Sequence, residues 1–448
     1  MMDRETQART THGEERAPRA PGVYYETPAA RTPQPVFRTG IPVFVGFARL
    51  MPGRQNTSIH HISRWQQFEQ WHEPLPESYL HYAVRGFFEN GGEQCVVALV
   101  QSDHNSGEMT AALTQVFEHG SVLEDIEDID LVCVPDAMLE IIRRTGHAAV
   151  LGIQAAALEH CSRMGDRFAI LDGFLHGDDK RANTEQTGNG VDLAVSHWQA
   201  LPPEHGALYY PWISVKKHHP AGDSDTSYAL KTPCDIYAMN SAHSRPGSVK
   251  SYEIEPVPPC GHIAGVYSRT DSRVGVHKAP ANEVLEETLK LGIYFSDDEQ
   301  ATLNDAGINC LRSFAGRGIR VWGARTLSGQ PQWSYVNVRR LFLTLARWLK
   351  RNMNDLVYET NNQRLWERVR ERLLDYCRNL FDQGALLGNS PAQAFFVKCD
   401  AETNTAERQE AGQVVAEVGL APAVPAEFVV VRITQSAGTI IVTGLNVA

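Results

Sequence analysis

Reactive side chains occur along this chain, but few are spaced to act together. His60-His61 and His218-His219 are adjacent pairs. Neighbouring residues point in different directions on a helix or a strand, so neither pair supplies two ligands to one ion. His72-Glu73 runs into Pro74 instead of completing H-E-x-x-H, and neither G-x-x-x-x-G-K-[ST] nor G-x-S-x-G occurs. Gly188-Asn189-Gly190 lacks the third glycine and the preceding strand of a dinucleotide turn. Gly316-Arg317-Gly318, beside Trp322-Gly323-Ala324-Arg325, offers backbone N–H groups and guanidinium to a phosphate, or else is a structural glycine turn. The run Glu124-Asp125-Ile126-Glu127-Asp128-Ile129-Asp130 pairs carboxylates, but it leads directly into the apolar Leu131 segment, as a surface turn would. The eight cysteines, at 95, 133, 161, 234, 260, 310, 377 and 399, stay at least 22 positions apart and form no C-x-x-C. Scattered buried thiols are the expectation. No catalytic, cofactor or metal constellation is expected from these residues.

The elements that position side chains are easier to read. With 448 residues, 42% of them hydrophobic, the chain can build two or three domains of roughly 100 to 200 residues each. Lys plus Arg total 42 against 53 Asp plus Glu, and the net charge of −11 argues against a nucleic-acid partner held mainly by charge. No apolar run approaches the roughly 20 residues that cross a bilayer, and the first 22 residues lack a signal-peptide core, so synthesis in a cytoplasm without membrane insertion is expected.

Residues 1–40 read as a polar arm whose prolines prevent a continuous helix, with Val23-Tyr24-Tyr25 as a short strand-like island. From 41 to 254, apolar runs such as Cys95–Val100, Leu131–Val134 and Phe168–Asp172 alternate with helical segments such as Tyr79–Asn90 and Ala148–Arg163. That alternation predicts an α/β layer domain with a largely parallel sheet. The Pro-rich stretch Glu255–Gly261 marks a boundary, after which 255–430 reads as an α+β domain. Its longest helical stretch, 336–382, breaks near 352–362 and carries ten Arg or Lys against six Asp or Glu. The excess is either a solvated face or a patch for an acidic partner. Residues 427–433 and 439–443 read as two strands, either a hairpin on their own domain or a tail, counted from 431 to 448, that reaches another subunit.

Several segments resemble the contractile tail sheath family of phages, R-type bacteriocins and extracellular contractile injection systems. Pro21-Gly22-Val23-Tyr24-Tyr25-Glu26 is similar to its P-G-V-Y-x-E arm, and Gly86-Phe87-Phe88-Glu89-Asn90-Gly91-Gly92 to G-F-F-x-N-G-G. Ala207-Leu208-Tyr209-Tyr210-Pro211-Trp212 resembles A-x-Y-Y-P-W, and Pro258–Gly265 resembles P-P-S-G-x-x-A-G with Cys260 in place of the small hydroxyl. Gly316–Leu327, Tyr335–Leu341, Ala394–Asp400 and Pro425–Phe428 extend the match.

The resemblance implies a structural subunit without an active site, stacked as hexameric rings around an inner tube. It implies a multidomain α/β and α+β fold whose N- and C-terminal arms add strands to neighbouring copies, through Val23, Tyr24, Tyr25 and Glu26 at one end and Val429, Val431, Ile433, Ile440 and Val442 at the other. It also implies that a helix of the C-terminal domain faces the tube, with Arg339, Arg340, Arg347, Lys350 and Arg351 as the candidates. The implied partners are further copies of the chain, the inner tube protein, and baseplate and terminator or cap proteins. The implied setting is a phage tail or tail-like particle, assembled in a bacterial cytoplasm and in some systems released. Another helical tube or capsid protein, or an α/β enzyme, are the competing readings.

Overall fold

A computed structural model describes residues 38–51, 58–75, 77–101, 105–175, 190–217, 253–423, 429–436 and 439–446. The N-terminal arm residues 23–26 and the pair His218-His219 lie outside them. The compact unit begins at Arg38.

The expected alternation becomes one sheet. β1 (Pro42–Gly46) is an interior strand, third from one edge; β2 (Ala48–Leu50) leaves the sheet, β3 (Ile59–Ile62) closes that edge, and α1 (Trp65–Trp71) leads to β4 (His72–Pro74), the partner of β2. There follow α2 (Leu80–Glu89), β5 (Cys95–Leu99), α3 (Ser106–Gln115), β6 (Leu131–Cys133), α4 (Glu140–Arg143), α5 (His147–Met164), β7 (Phe168–Asp172), α6 (Gly190–Ala200) and β8 (Gly206–Tyr210). β5, β1, β6, β7 and β8 run parallel in that spatial order. Strands covered on both faces need apolar side chains in both directions, hence the unbroken runs in the sequence. Val43, Val96 and Val132 pack in one core with residues of α3, α5 and α6; Phe44, Val97 and Leu131 pack in the other with α2 and α7 (Cys260–Arg273). The result is a three-layer helix–sheet–helix body.

The helices α2 and α7 cross at backbone contact distance, which gives the glycines of two motif segments their reason. A Cβ on Gly261 would lie 2.2 Å from the Ala83 carbonyl oxygen, one on Gly265 2.5 Å from that of Phe87, and one on Gly86 2.3 Å from the His262 ring.

The boundary expected between 254 and 255 is corrected by the sheet itself. β12 (Asn309–Phe314) pairs in parallel with β8, and β13 (Gly318–Trp322) closes that edge, so strands from both sides of the cut form one layer. Of the prolines taken as a boundary, Pro256 sits in β10 (Ile254–Val257), which pairs with β9 (Ile213–Lys216), and Pro258 and Pro259 lead from it into the helix that starts at Cys260; β11 (Lys290–Leu291) lies on the other side of β9. Proline is accommodated there because β10 is an edge strand, where no partner needs its missing N–H. Gly316 and Gly318, at φ +71° and +74°, turn the β12–β13 hairpin.

After α8 (Asp297–Asp305), the C-terminal part is built on two helices. α9 (Val336–Asn352) is enclosed nearly all round, and α10 (Gln363–Asp382) buries Leu365, Val369, Leu373, Cys377 and Leu380 at helical spacing. α10 packs against an antiparallel sheet in the order β14 (Phe395–Lys398), β15 (Val414–Leu420), β16 (Val429–Ser436), β17 (Thr439–Asn446). The arm boundary expected at 430/431 falls inside β16.

Candidate functional site

The helix α9 carries all five residues expected to face a tube, and the structure divides them. Arg340 donates from both Nη atoms to Asp271 of α7, at 2.9 and 2.6 Å, and from Nη2 to Asp130 at 3.1 Å. All three side chains are 6% exposed or less. Burial works against the Arg340 charge, but Asp271 and Asp130 outweigh it and hold the guanidinium above its ordinary pKa. Arg347, 4% exposed at its side chain, donates to the Asp128 carbonyl at 3.0 Å and comes within 4.0 Å of Asp130. Arg340 and Arg347 therefore present no charge to a partner, and the tube-facing expectation is corrected for both: their counter-ions are internal.

Lys350 binds Asp166 at 2.9 Å and the Met164 carbonyl at 2.9 Å, while Arg351 binds Asp128 at 2.9 Å. Both keep about half of the side chain in solvent, at 43% and 51%. Arg339 differs from the other four. Its guanidinium lies 4.5 Å from the Trp333 ring centroid and donates to Nε2 of His205, a ring held neutral at a pKa of about 3 by burial and by the Arg339 charge.

The acidic run read as a surface turn is the counter-surface of α9. Asp130, its last member, also accepts from the Gly40 and Ile41 amides at 3.0 and 2.6 Å, fixing the chain where it enters β1. Arg340, Arg347 and Arg351 are spaced by seven and four positions, which puts them on one helical face, and that face meets Asp128 and Asp130. The run as a whole was visible; its partner, 210 residues away for the Asp130–Arg340 pair, was not.

Two further carboxylates, Asp172 and Asp136, are buried with no ion pair among the described residues. Asp172 is pushed up to about 7 by burial, against the hydrogen bonds from Cys260, and Asp136 to about 6 although it accepts from the Phe47 and Tyr79 amides and the Ser78 hydroxyl. Both bind backbone N–H groups that begin or follow an element, which is a structural task. The seven described cysteines are buried and free. His60 is buried and His61 exposed on β3, as alternation requires. Among the described residues no three His, Cys, Asp or Glu side chains gather to hold a metal ion, and no helix is long and apolar enough to cross a membrane.

The terminal sheet places five of the arm residues. Val429, Val431 and Ile433 fall opposite Leu420, Val418 and Ala416 of β15; Val442 falls opposite Ile433, and Ile440 opposite Gln435. Leu420, Val418 and Ala416 are buried, as are Val414, Val415 and Gly419, so the strand onto which β16 pairs is enclosed along nearly its whole length. At the other end, β14 has no strand on its outer side among the described residues, and Phe396 there is 41% exposed over Gly419.

Comparison with known proteins gives the same assignment along most of the chain. Residues 127–327 match the phage tail sheath protein central domain, and 328–436 the phage tail sheath C-terminal domain. The tail sheath protein of Salmonella phage ViI is 29% identical over 170 residues, 37% of this chain and 26% of that protein. A putative prophage major tail sheath protein of Pseudomonas aeruginosa (strain UCBPP-PA14) is 27% identical over 299 residues, 65% of this chain and 64% of its own length. The chain thus spans about a quarter of the first relative and somewhat under two thirds of the second. Among solved structures, the helical sheath of the anti-feeding prophage in its contracted state superposes with a TM-score of 0.63 at 28% identity, covering 92% of this chain and 98% of that one. The sheath complex of the extracellular contractile injection system PVC, also contracted, gives 0.63 at 27% identity over 92% and 96%. The chain therefore belongs to the phage tail sheath family, whose members are structural proteins and not enzymes.

Proposed function

We propose that this chain is the repeating subunit of a contractile sheath, polymerising as hexameric rings around an inner tube and shortening from a metastable extended state to drive the tube through a target envelope. The observation that carries the reading is the C-terminal sheet, whose last two strands pair onto the buried strand β15, while β14 has no strand on its outer side among the described residues. Such a sheet can take strands from other copies, and the arm around Val23, Tyr24, Tyr25 and Glu26 is the matching donor. A strand of about five residues contributes a few backbone hydrogen bonds, each worth about 0.5 to 1.5 kcal/mol net. Polar residues flanking the strand let two bodies rotate without losing those bonds. The energy of shortening then comes from better packing in the contracted lattice, multiplied over rings, with no nucleotide.

The inner tube is the second partner of this reading, with Lys350 and Arg351, at the half-exposed end of α9, as its contact residues. Baseplate and cap proteins are the partners at the two ends of the polymer. Assembly in a bacterial cytoplasm, within a phage tail or a related particle that is released, is the matching setting. Electron microscopy of the native assembly tests the whole reading. Wide helical cylinders are expected, whereas narrow tubes or closed shells point to a different structural protein. Deleting residues 1–27 should leave a folded, soluble monomer; ordinary rings from that variant would remove the N-terminal arm from the scheme.

A further inference from the structure

The turn Gly316-Arg317-Gly318, whose sequence fits either a phosphate contact or a structural glycine turn, gathers arginines from both of the strands it joins. Its backbone is occupied by the turn itself: the Arg317 N–H donates to the Phe314 carbonyl at 3.0 Å, and the two glycines supply the left-handed φ. The side chains remain. Arg320 of β13 stands directly opposite Arg312 of β12, a pairing of like charges that ordinarily weakens two adjacent strands. Arg312 is neutralised by Asp297 of α8 at 2.7 Å and donates also to Gln300. Arg320 instead donates from Nε to the Arg317 carbonyl at 3.1 Å, and from Nη1 to the Asn282 carbonyl and Oδ1 at 2.6 and 3.3 Å. Arg317 reaches the same Oδ1 from Nη2 at 3.5 Å, and its Cζ lies 5.6 Å from the centroid of the Phe314 ring. One neutral amide oxygen thus holds two guanidiniums side by side.

Neither of these two cations meets a carboxylate within ion-pair distance among the described residues. Glu283, the residue after Asn282, is already shared by Arg273, Lys278 and Arg269 at 2.5, 3.2 and 3.9 Å. A guanidinium has N–H donors on all three of its nitrogens. Nε and Nη1 of Arg317 and Nη2 of Arg320 find no acceptor among the described residues. Two adjacent positive charges with donors left over on each suit an anion of matching charge. A carboxylate brings one charge and two oxygens, enough for a single guanidinium fork. A phosphate group brings about two charges near pH 7 and three acceptor oxygens, so that one group can engage both arginines.

We infer that Arg317 and Arg320, positioned by Asn282, form a binding site for phosphate, either the free ion or a small phosphomonoester. The inference does not depend on the assembly reading above. Equilibrium dialysis of the purified full-length chain against radiolabelled inorganic phosphate, and separately against glycerol 3-phosphate, tests it at an ionic strength held constant with sodium chloride. Binding should saturate at one phosphate per chain. Arg317→Gln and Arg320→Gln should each weaken it at least ten-fold, and Arg317→Lys less, because lysine keeps the charge and loses the fork. Binding of both probes makes a monoester the fitting ligand, and binding of inorganic phosphate alone makes it the free ion; either result supports the site. No saturable binding, or saturable binding that both glutamine variants retain, overturns it. Displacement by acetate as readily as by sulfate also overturns it, since any charged patch would behave so. Arg317 is exposed, and Arg317→Gln in chloride should melt within about two degrees of wild type, so this variant decides the matter where Arg320→Gln disturbs the hairpin. As a second measurement, phosphate should raise the melting temperature of wild type above its value in chloride of equal ionic strength and leave that of Arg317→Gln unchanged. An equal rise in both proteins would put the phosphate elsewhere on the chain and refute the assignment.

Discussion

Arg340 and Asp271 meet in a two-pronged ion pair, 2.6 and 2.9 Å long, with 2% of each side chain exposed. The pair joins α9 to α7, and through Asp130 it reaches the amides where the chain enters β1. Three segments distant in sequence are thereby fixed in one node.

The node predicts a non-additive response. Arg340→Met leaves two buried carboxylates short of their counter-ion and should cost about 3 to 5 kcal/mol, because breaking a buried pair strands a charge. Arg340→Met combined with Asp271→Leu should be less destabilised than Arg340→Met alone, since one stranded charge is gone. Urea unfolding midpoints of the two variants and wild type decide it; a double variant as unstable as the sum of its singles would mean that the node contributes packing and little else.

The helix crossing predicts opposite outcomes for two glycine substitutions. Gly261→Ala forces a methyl to 2.2 Å from the Ala83 carbonyl and 2.3 Å from its Cα, both backbone atoms of α2. The helices must separate, at a cost of about 1 to 3 kcal/mol or more. Gly152→Ala, exposed within α5 with no atom near its missing Cβ, should gain about 0.5 to 1 kcal/mol from helix propensity. Thermal melts of the two single variants provide the comparison, and a neutral Gly261→Ala would contradict the close crossing.

These cases mark what a sequence can disclose. Period-two and period-3.6 patterns are local, so Phe168–Asp172 was placed to the residue and α5 to within one residue at either end. The break between α9 and α10 was legible because Asn352 to Asn362 loses the apolar spacing. The node was not legible: Asp130, Asp271 and Arg340 come from three separate segments, and a row of arginines looks the same whether its acids lie inside the chain or on another molecule. Pro256 misled for a related reason, since an edge strand and a linker both tolerate proline, and Pro258 and Pro259 merely lead into a helix. The glycines of the α2 and α7 motifs were visible as residues, but their role as a helix contact needed the crossing.

Burial of His262 predicts an acid-dependent loss of stability. The ring is 1% exposed, neither nitrogen has a hydrogen-bond partner among the described residues, and burial, assisted by Arg85, lowers its pKa from 6.5 to about 3. The folded chain therefore leaves it neutral where the unfolded chain takes up a proton. Stability is unaffected by this group above pH 6.5 and falls as pH drops towards 3, by about 1.4 kcal/mol per unit. Relative to His262→Gln, wild type should lose about 2 kcal/mol between pH 6.5 and 5. Urea midpoints at the two pH values give the difference; a gap between the proteins that does not change with pH would mean that the ring titrates normally.

The proposed strand exchange at the C-terminus predicts where a cross-link forms. Glu417 of β15 stands opposite Arg432 of β16, so cysteines at both positions are cross-strand neighbours whichever chain supplies β16. The native cysteines of the described body are buried, which limits their competition for oxidant. In a dilute monomer, Glu417→Cys/Arg432→Cys should close within one chain and migrate as a single species without reductant. In assembled particles, donation of the terminal hairpin to a neighbour links each chain to the next, and non-reducing gels should show a ladder. Particles that assemble, oxidise fully and still run as single chains would show that β16 and β17 stay with their own β15. Contraction would then have to be accommodated by the N-terminal arm alone.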